Sequence, residues 1–491
     1  MITFFLSIVL LVVAYFVYGK IVEKIFGIDT QRPTPAITKA DGVDYVPMKP
    51  WRIFLIQFLN IAGVGPICGA IMGAQFGTAS FLWIVFGSIF AGAVHDFIAG
   101  MISLRNDGCS LPEIHGKYLG NGVKQIMRAF TILLMILVGA VFINTPAVLL
   151  NTNFTSDWNI YIWIGIIFAY YLIATLLPID KLIGKLYPIF GILLVAMAVA
   201  ILIAFVIYKP DIPELWHGLA NKHPHADTNP IFPMMFISIA CGAISGFHAT
   251  QSPLMARCMV NEKQGRPIFY GAMITEGVVA LIWAAAATVF YHNPELHSLT
   301  VNPATGQQFG GNAMVGIIAN RWFPPVVATV TIIGVISAAV TSGDTALRSA
   351  RLIVADFLKY DQKPIKNRLF ISIPIFLLTA GLLVFSLTDE KGFDVIWRYF
   401  AWSNQVLAMV TLWAITMYLA KNKKIFIITF IPALFMTMVC STFILISQSG
   451  GLGLMPIWAY SISGLITLDA GAIFVFWLVK HRKQSIAKEK E

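Results

Sequence analysis

Apolar stretches of membrane-spanning length follow one another along the whole chain. A helix needs about 20 predominantly apolar residues to cross the hydrocarbon core of a bilayer. Because these stretches are too long and too uniformly apolar for the alternating strands of a membrane barrel, we expect an all-α polytopic membrane protein. The sequence predicts thirteen spans, at residues 2–19, 53–76, 79–103, 127–150, 158–177, 186–208, 231–256, 268–291, 324–342, 368–387, 394–420, 425–447 and 455–479.

Basic residues alternate between the two predicted sides of the membrane. Of the 34 Lys and Arg residues, 29 fall in the odd-numbered connections or the C-terminal tail, and 5 fall in the even-numbered connections. The positive-inside rule therefore predicts an N-terminus outside the cell and a C-terminus in the cytoplasm. The first apolar stretch lacks a basic leader and a small-residue cleavage site, so we interpret it as a retained span.

The composition agrees with this interpretation. The chain is 58% hydrophobic and 12% charged, whereas soluble proteins average about 25% charged residues. The net charge of +10 is explained by topology, so we expect a lipid bilayer rather than a nucleic acid as the partner. The five cysteines have no CxxC spacing and do not indicate a disulfide framework. We expect residues 1–491 to form a single transmembrane domain.

Two spans are interrupted by clustered glycine and proline. The interruptions lie at 60–66 and 240–253, five spans apart, in spans that start from opposite sides. Paired interrupted helices in corresponding positions of two inverted halves indicate a transporter binding site. We therefore expect a 5+5 inverted repeat with repeat one at about 53–208 and repeat two at about 231–420. The spans at 2–19, 425–447 and 455–479 are then peripheral.

The interrupted helices predict a substrate site. Amide N–H groups at the start of a half-helix attract a carboxylate, although glycines in membrane helices also serve simple packing. The predicted substrate-binding positions are Gly63, Val64, Gly65, Cys241, Gly242, Ser245, His248 and Gln251.

Ionisable residues within the spans are functional candidates. Asp96 and Glu276 occupy equivalent spans of the two repeats at similar predicted depth, and His248 lies in the second interruption. We expect these three residues to be candidates for proton coupling. The alternative is a structural role, in which neighbouring residues satisfy the buried acids and the imidazole through hydrogen bonds or ion pairs. An ion-pair latch is expected where Asp344 meets the arginines of 348–351.

Several longer motifs make the sequence similar to a known family. The chain resembles the carbon starvation protein A (CstA) family of bacterial carriers. Membership implies a multi-pass protein of the bacterial cytoplasmic membrane that imports a carbon source during starvation, peptides for some members and pyruvate for others. The stretches that carry the resemblance are "DGVDYVP" (41–47), "AGVGPICGAI" (62–71), "LPIDK" (177–181), "IACGAISGFHATQSPLMARC" (239–258), "GAMITEGVVALIW" (271–283), "TSGDTALRSARL" (341–352) and "VIWRYFAWSNQ" (395–405).

The interrupted pair also resembles the leucine-transporter fold of the amino acid–polyamine–organocation superfamily. Many of those carriers hold sodium between the first helix of repeat one and the third helix of repeat two. The "AAVTS" stretch fits their ligand pattern, and oxygen ligands suit a hard cation. Hydroxyls in membrane helices also bond to backbone carbonyls, which leaves both interpretations open. The resemblance implies a Na⁺-like site formed by Leu59, Ala62, Ala338, Thr341 and Ser342.

These features together predict a secondary active importer of a small carboxylate-bearing carbon source, driven by Na⁺ or H⁺ through alternating access. A passive channel or a substrate sensor on a transporter scaffold is the alternative. The sequence contains no P-loop and no Ser/His/Asp pattern, so we expect neither an enzyme nor a cofactor. A polar loop that contains His217, His223 and His225 matches the spacing of metal ligands only weakly.

Overall fold

The computed structural model describes residues 1–177, 183–303, 306–388, 392–448 and 450–490, and most of them are helical. The "LPIDK" stretch lies mainly outside these described residues. The membrane helices, numbered here in chain order, are α1 (Ile2–Phe26), α2 (Pro50–Ile61 and Gly65–Ala74), α3 (Ala79–Arg105), α4 (Asn121–Phe154), α5 (Ile160–Leu176), α6 (Leu186–Tyr208), α7 (Ile231–Met235, Phe236–Ser238 and Gly246–Ala256), α8 (Glu262–His292), α9 (Pro325–Leu358), α10 (Ile365–Thr388), α11 (Val395–Lys421), α12 (Ile427–Ile446) and α13 (Pro456–Arg482).

Ten of these helices are long and apolar enough to cross a membrane, or eleven when the bent halves of α2 count as one span. The predicted all-α membrane architecture is confirmed. The remaining two segments are shorter: α5 is an apolar helix of under eighteen residues, and α7 is divided by a non-helical stretch at 239–245. Thirteen crossings therefore stay a prediction.

The first interruption bends α2. Its first half, α2a, ends at Ile61, and its second half, α2b, begins at Gly65, with a bend of 51° between them. Pro66 lacks an N–H and cannot continue the hydrogen-bond ladder of the preceding turn. The Gly63 amide instead donates to the Ile61 carbonyl over 2.8 Å. The sequence therefore ends one half-helix and starts another at mid-span.

The second interruption opens α7 more widely. Its first half, α7a, ends at Ser238, and its second half, α7b, starts at Gly246 after Ser245 in extended conformation. Gly242 has φ +84, a conformation that glycine adopts without steric cost. We call residues 239–245 the α7 break.

Glycines on α2b let the two broken helices touch. A Cβ added at Gly65 would lie 2.4 Å from Cys241 Sγ, one at Gly69 would lie 2.7 Å from the Ser238 carbonyl oxygen, and one at Gly73 would lie 2.2 Å from Ile239. Such spacing of small residues is typical of closely packed membrane helices. The α2b helix consequently forms one wall of the α7 break.

The connections predicted to be cytoplasmic meet on one face of the bundle, which we call the basic face. Glu262 accepts two hydrogen bonds from Arg105, at 2.7 and 2.8 Å, and one from the Asp29 amide at 2.7 Å. The Met48 amide donates to the Cys258 carbonyl over 3.2 Å. The connection between α1 and α2 is thereby held against the ends of α3 and α7. The grouping agrees with the alternation of charge in the sequence.

The expected latch at the end of α9 has a different acid. Asp44, in the α1–α2 connection, lies 3.4 Å from Arg351 and 3.7 Å from Arg348. Asp344 instead accepts a hydrogen bond from the Tyr187 hydroxyl over 3.3 Å. Both arginines are buried, and the acid that approaches them comes from a loop more than 300 positions away, which local sequence could not indicate.

Candidate substrate and ion site at the broken helices

The three proton-coupling candidates converge in one buried group. His248 begins the first turn of α7b, and its Nδ1 lies 2.9 Å from Asp96 Oδ2 of α3. Its Nε2 lies 3.3 Å from Glu276 Oε2 of α8. All three side chains have no exposed surface. We call this group, with one imidazole between two carboxyls from two other helices, the central triad.

The geometry of the central triad constrains its protons. A neutral imidazole carries one N–H, so it can donate to only one of two flanking carboxylates. Nδ1 makes a hydrogen bond with Asp96, whereas Nε2 and Glu276 Oε2 are close without being aligned for one. His95 adds a further contact, since its Nδ1 lies 2.7 Å from Asp96 Oδ1. The site therefore brings two imidazoles and two carboxyls together, between which a proton can move.

The central triad is bonded directly to the α7 break. The Gly242 amide donates to Glu276 Oε1 over 3.1 Å. Cys241 also belongs to this neighbourhood, because its Sγ and one ligand atom each of His248 and Glu276 all lie within 4.8 Å of one another. The same atoms thus offer a compact donor set to a cation. Within the described part of the chain, the expected external histidines do not form such a group.

Two amides of α11 support the α7 break from its other side. Asn404 Oδ1 accepts from the Phe247 amide at 2.7 Å and from Ser245 Oγ at 3.1 Å. Gln405 Nε2 donates to the Ala240 carbonyl at 2.7 Å and to the Ile244 carbonyl at 3.0 Å. These bonds replace helical hydrogen bonds that the break removes, as required for backbone buried at membrane depth.

The sequence leaves two interpretations of the α11 amides, lining a vestibule or packing between spans, and does not place them at the break. The available signal was two adjacent amide residues, Asn404 and Gln405, in an otherwise apolar and aromatic span. Two further buried amides were missed on α2a. Gln57 and Asn60 have no exposed surface, and their side-chain nitrogen and oxygen atoms have no hydrogen-bond partner in the described structure. Their positions just before the α2 bend place unpaired polar groups close to the break.

The predicted substrate positions fall into two groups. Gly63, Val64 and Gly65 form the bend of α2, and Cys241, Gly242 and Ser245 form the α7 break against it. His248 joins these two groups to the acids. Gln251 lies further along α7b, where its Nε2 donates to Thr250 Oγ1 over 2.9 Å. Sequence reasoning therefore found both sides of the break, and the structure places Gln251 beyond its edge.

The predicted cation ligands are also neighbours. The Leu59 carbonyl accepts from Thr341 Oγ1 at 3.1 Å and from Ser342 Oγ at 3.0 Å. Thr341 Oγ1 lies 3.0 Å from the Ala338 carbonyl as well. Ala62 follows directly after the last turn of α2a. The hydroxyl-to-carbonyl bonds that the sequence leaves as the alternative are thus present, in the same place where the ligand pattern would gather oxygen atoms.

A vestibule of about 550 Å³ leads from the face opposite the basic face toward the α7 break. Its walls include Met72 near the end of α2b, Ser238 at the end of α7a, and Trp397 and Arg398 of α11. The described residues that line it include no carboxylate side chain. The vestibule thus reaches the end of α7a, next to the α7 break, and its described lining has a guanidinium and no carboxylate.

Comparisons with known proteins agree with these features. The family model described as carbon starvation protein CstA matches residues 1–164, 147–315 and 310–443. An uncharacterized membrane protein of Haemophilus influenzae is 44% identical over 344 residues, which is 60% of this chain and 92% of the relative. A peptide transporter CstA of Bacillus subtilis is 25% identical and covers 83% of each chain.

A pyruvate/proton symporter of Escherichia coli, BtsT, is 27% identical over 61% of this chain, and the match spans half of that relative's length. Among solved structures, the manganese transporter of Eremococcus coleocola aligns with a TM-score of 0.58 at 12% identity, over 90% of this chain and 99% of the other. The amino-acid-bound MhsT structure aligns with a TM-score of 0.56 at 13% identity, over 86% and 99%.

The structural matches show the fold of a polytopic helical bundle, and two of the relatives described above are named as transporters. The family model extends over most of the helices that surround the central triad and the α7 break. On this evidence the chain is a multi-pass membrane protein that belongs to the carbon starvation protein CstA family.

Proposed function

We propose that this transporter imports a small carboxylate-bearing carbon source, a short peptide or pyruvate, by proton-coupled alternating access. The positive-inside rule places the basic face in the cytoplasm, so a proton that passes from the vestibule face to the basic face carries the solute inward. Relatives named as a peptide transporter and as a pyruvate/proton symporter support both substrate classes. The proposal rests chiefly on one observation, the position of His248 between two buried carboxyls at the α7 break.

The central triad can couple a proton to the shape of the carrier. Burying a net charge at membrane depth is costly, so the triad favours the protonation state that balances its charges. Glu276 binds the Gly242 amide through its other oxygen. Loss of a proton from the triad would therefore change a hydrogen bond to the break itself. The bundle can respond by moving α7 relative to α3 and α8.

A carboxylate substrate fits the surroundings of the break. The half-helices α2b and α7b both start there, so the positive ends of their dipoles point toward the centre. Arg398 in the vestibule adds a cation on the route inward. The unpaired amides of Gln57 and Asn60 can bond to polar groups of a bound solute.

Sodium coupling is the second candidate, because the Leu59 carbonyl meets the Thr341 and Ser342 hydroxyls within 3.1 Å. Oxygen atoms of this kind suit a hard cation. In this case Ala62 and Ala338 would add backbone carbonyls. The proton remains the primary proposal, since Glu276 of the central triad accepts a hydrogen bond from Gly242 in the α7 break, whereas the Thr341 and Ser342 hydroxyls bond to Leu59 of α2a.

The test is uptake into proteoliposomes. Labelled pyruvate and a labelled dipeptide are offered separately with an imposed proton or sodium gradient. We expect a proton gradient to drive accumulation of one of them, and Glu276→Gln to abolish accumulation while exchange down a gradient persists. Asp157→Asn, which neutralises an exposed carboxylate far from the central triad in the sequence, serves as the control.

Each of the other outcomes would show that a different part of the proposed function is wrong. Sodium-driven uptake that Thr341→Ala with Ser342→Ala weakens would replace proton coupling by the second candidate. Uptake that neither gradient drives would refute coupled transport. Counterflow separates a carrier from a channel, because internal unlabelled substrate accelerates labelled entry only through a carrier. A sensor would bind substrate without either activity.

A further inference from the structure

A second cavity lies on the vestibule face, beside the vestibule. It has a volume of about 610 Å³ and is formed by the ends of α2 and α8 together with loop residues at 222–225, 297–301 and 306–308. We call it the outer cavity. Gln75, His223 and Gln308 line both the outer cavity and the vestibule. The two spaces therefore share a wall.

The outer cavity presents polar groups that are incompletely satisfied within the described structure. The Tyr291 hydroxyl, on a side chain that is 5% exposed, has Gln75 as a neighbour but no aligned hydrogen bond, and His292 Nε2 has none either. Gln308 Oε1, at the shared wall, is buried and has no hydrogen-bond partner. Buried polar groups are nearly always paired. These groups around one space indicate a site for a polar ligand.

The charge of this space selects the sign of the ligand. Lys222 lines the outer cavity, and the described residues around it include no carboxylate side chain. Glu214 lines a smaller neighbouring cavity together with Lys222. Its carboxylate is engaged by the Met1 ammonium at 2.6 Å and by the amides of residues 2 and 3. An anionic group is thus favoured in the outer cavity.

Size and hydrogen-bonding capacity narrow the class of ligand. A cavity of about 610 Å³ falls within the roughly 300–1,000 Å³ that is usual for ligands of drug size, and pyruvate is far smaller. Donors from Lys222 and Tyr291 suit a carboxylate, whereas Gln308 Oε1 requires a hydrogen-bond donor on the ligand. A short peptide has both a carboxylate and N–H donors. Pyruvate has a carboxylate and no donor.

We propose that the outer cavity is a second binding site for a short peptide, occupied before the peptide enters the vestibule and the central site. The inference rests on the proposed function for the identity of the solute. Lys222 and Tyr291 bind the peptide carboxylate, His292 provides an adjacent ring nitrogen, and Gln308 accepts a peptide N–H. Pyruvate does not use the site.

Equilibrium dialysis of the purified full-length protein with labelled dialanine tests this assignment. We expect two dialanine molecules per chain, and one in a Lys222→Gln/Tyr291→Phe variant. Labelled pyruvate should give the same stoichiometry in both proteins. Lys209→Gln, at an exposed lysine outside the cavity lining, should retain two dialanine sites. Melting temperatures in detergent verify that each variant is folded.

The outcomes separate this inference from the proposed function. One dialanine per wild-type chain, or two in the folded double variant, overturns the outer site. A loss of one pyruvate in the double variant overturns its selectivity for peptides. If the protein binds two dialanine molecules but neither gradient drives uptake, coupled import is refuted and the outer site is still supported. Within active protein, the double variant should raise the KM for dialanine and leave kcat unchanged.

Discussion

Adding one methyl group at Gly65 tests the contact between the two broken helices. In Gly65→Ala the new Cβ would lie 2.4 Å from Cys241 Sγ and 2.7 Å from Cys241 Cβ. Carbon atoms in van der Waals contact are separated by about 3.5–4.0 Å, so α2b and the α7 break must move apart by roughly 1 Å. Overpacking of this kind costs about 1–3 kcal/mol, and it displaces the amides around the central triad.

The matched control is Gly381→Ala in α10, where an added Cβ meets no atom within 4 Å. We expect Gly65→Ala to lower the melting temperature in detergent and to abolish uptake, while Gly381→Ala is neutral or stabilising by about 0.5–1 kcal/mol. Removing the opposing side chain in Gly65→Ala/Cys241→Gly should restore part of the lost stability. Equal stability of the two alanine variants, or no recovery in the double variant, would refute the close packing.

Three further predictions concern charged and amide groups. Asp44→Asn should destabilise the protein by about 3–5 kcal/mol, because it leaves buried guanidinium groups unpaired. Burial alone would raise the pKa of Asp44, but the charges of Arg351 and then Arg348 outweigh the effect of burial and lower that pKa. The stability of the wild-type protein should therefore fall as pH drops below about 4. The Asp44→Asn variant should lack this acid-dependent loss of stability. Arg105→Gln should lower the melting temperature because it removes two charge-assisted hydrogen bonds from the buried Glu262, and charge removal at both positions should recover part of the lost stability. Asn404→Leu should reduce uptake and cost about 1–3 kcal/mol for each buried group it strands, whereas an unchanged melting temperature would exclude its role at the break.

Much of the architecture could be predicted because it depends on local composition. The length of an apolar stretch determines whether it can span a bilayer, and the proline and glycines of 63–66 interrupt α2 whatever packs around them. The alternation of basic residues between the two sides of the membrane can likewise be predicted without knowledge of any contact between helices. The number of crossings is less secure, since α5 is short and α7 contains residues 239–245 in non-helical form.

Pairing across the bundle could not be predicted in the same way. Asp96 and Glu276 are separate acids in the sequence, and only the packing of α3 and α8 places His248 between them. The arginine partner Asp44 comes from a distant loop. The α11 amides were ambiguous as well, because a buried amide can line a path or support a backbone, and the distances to the break decide between these roles.

The sequence by itself determined that this chain is a helical membrane protein with two interrupted helices in opposite orientation. It also located the three residues of the central triad, because an ionisable residue in an apolar span is visible without a fold. Only the tertiary structure decided which groups share protons, which glycines allow close contact and where cavities lie. These properties depend on distances between helices, and hydrogen bonds act over about 3 Å while the residues that form them are separated by up to hundreds of positions.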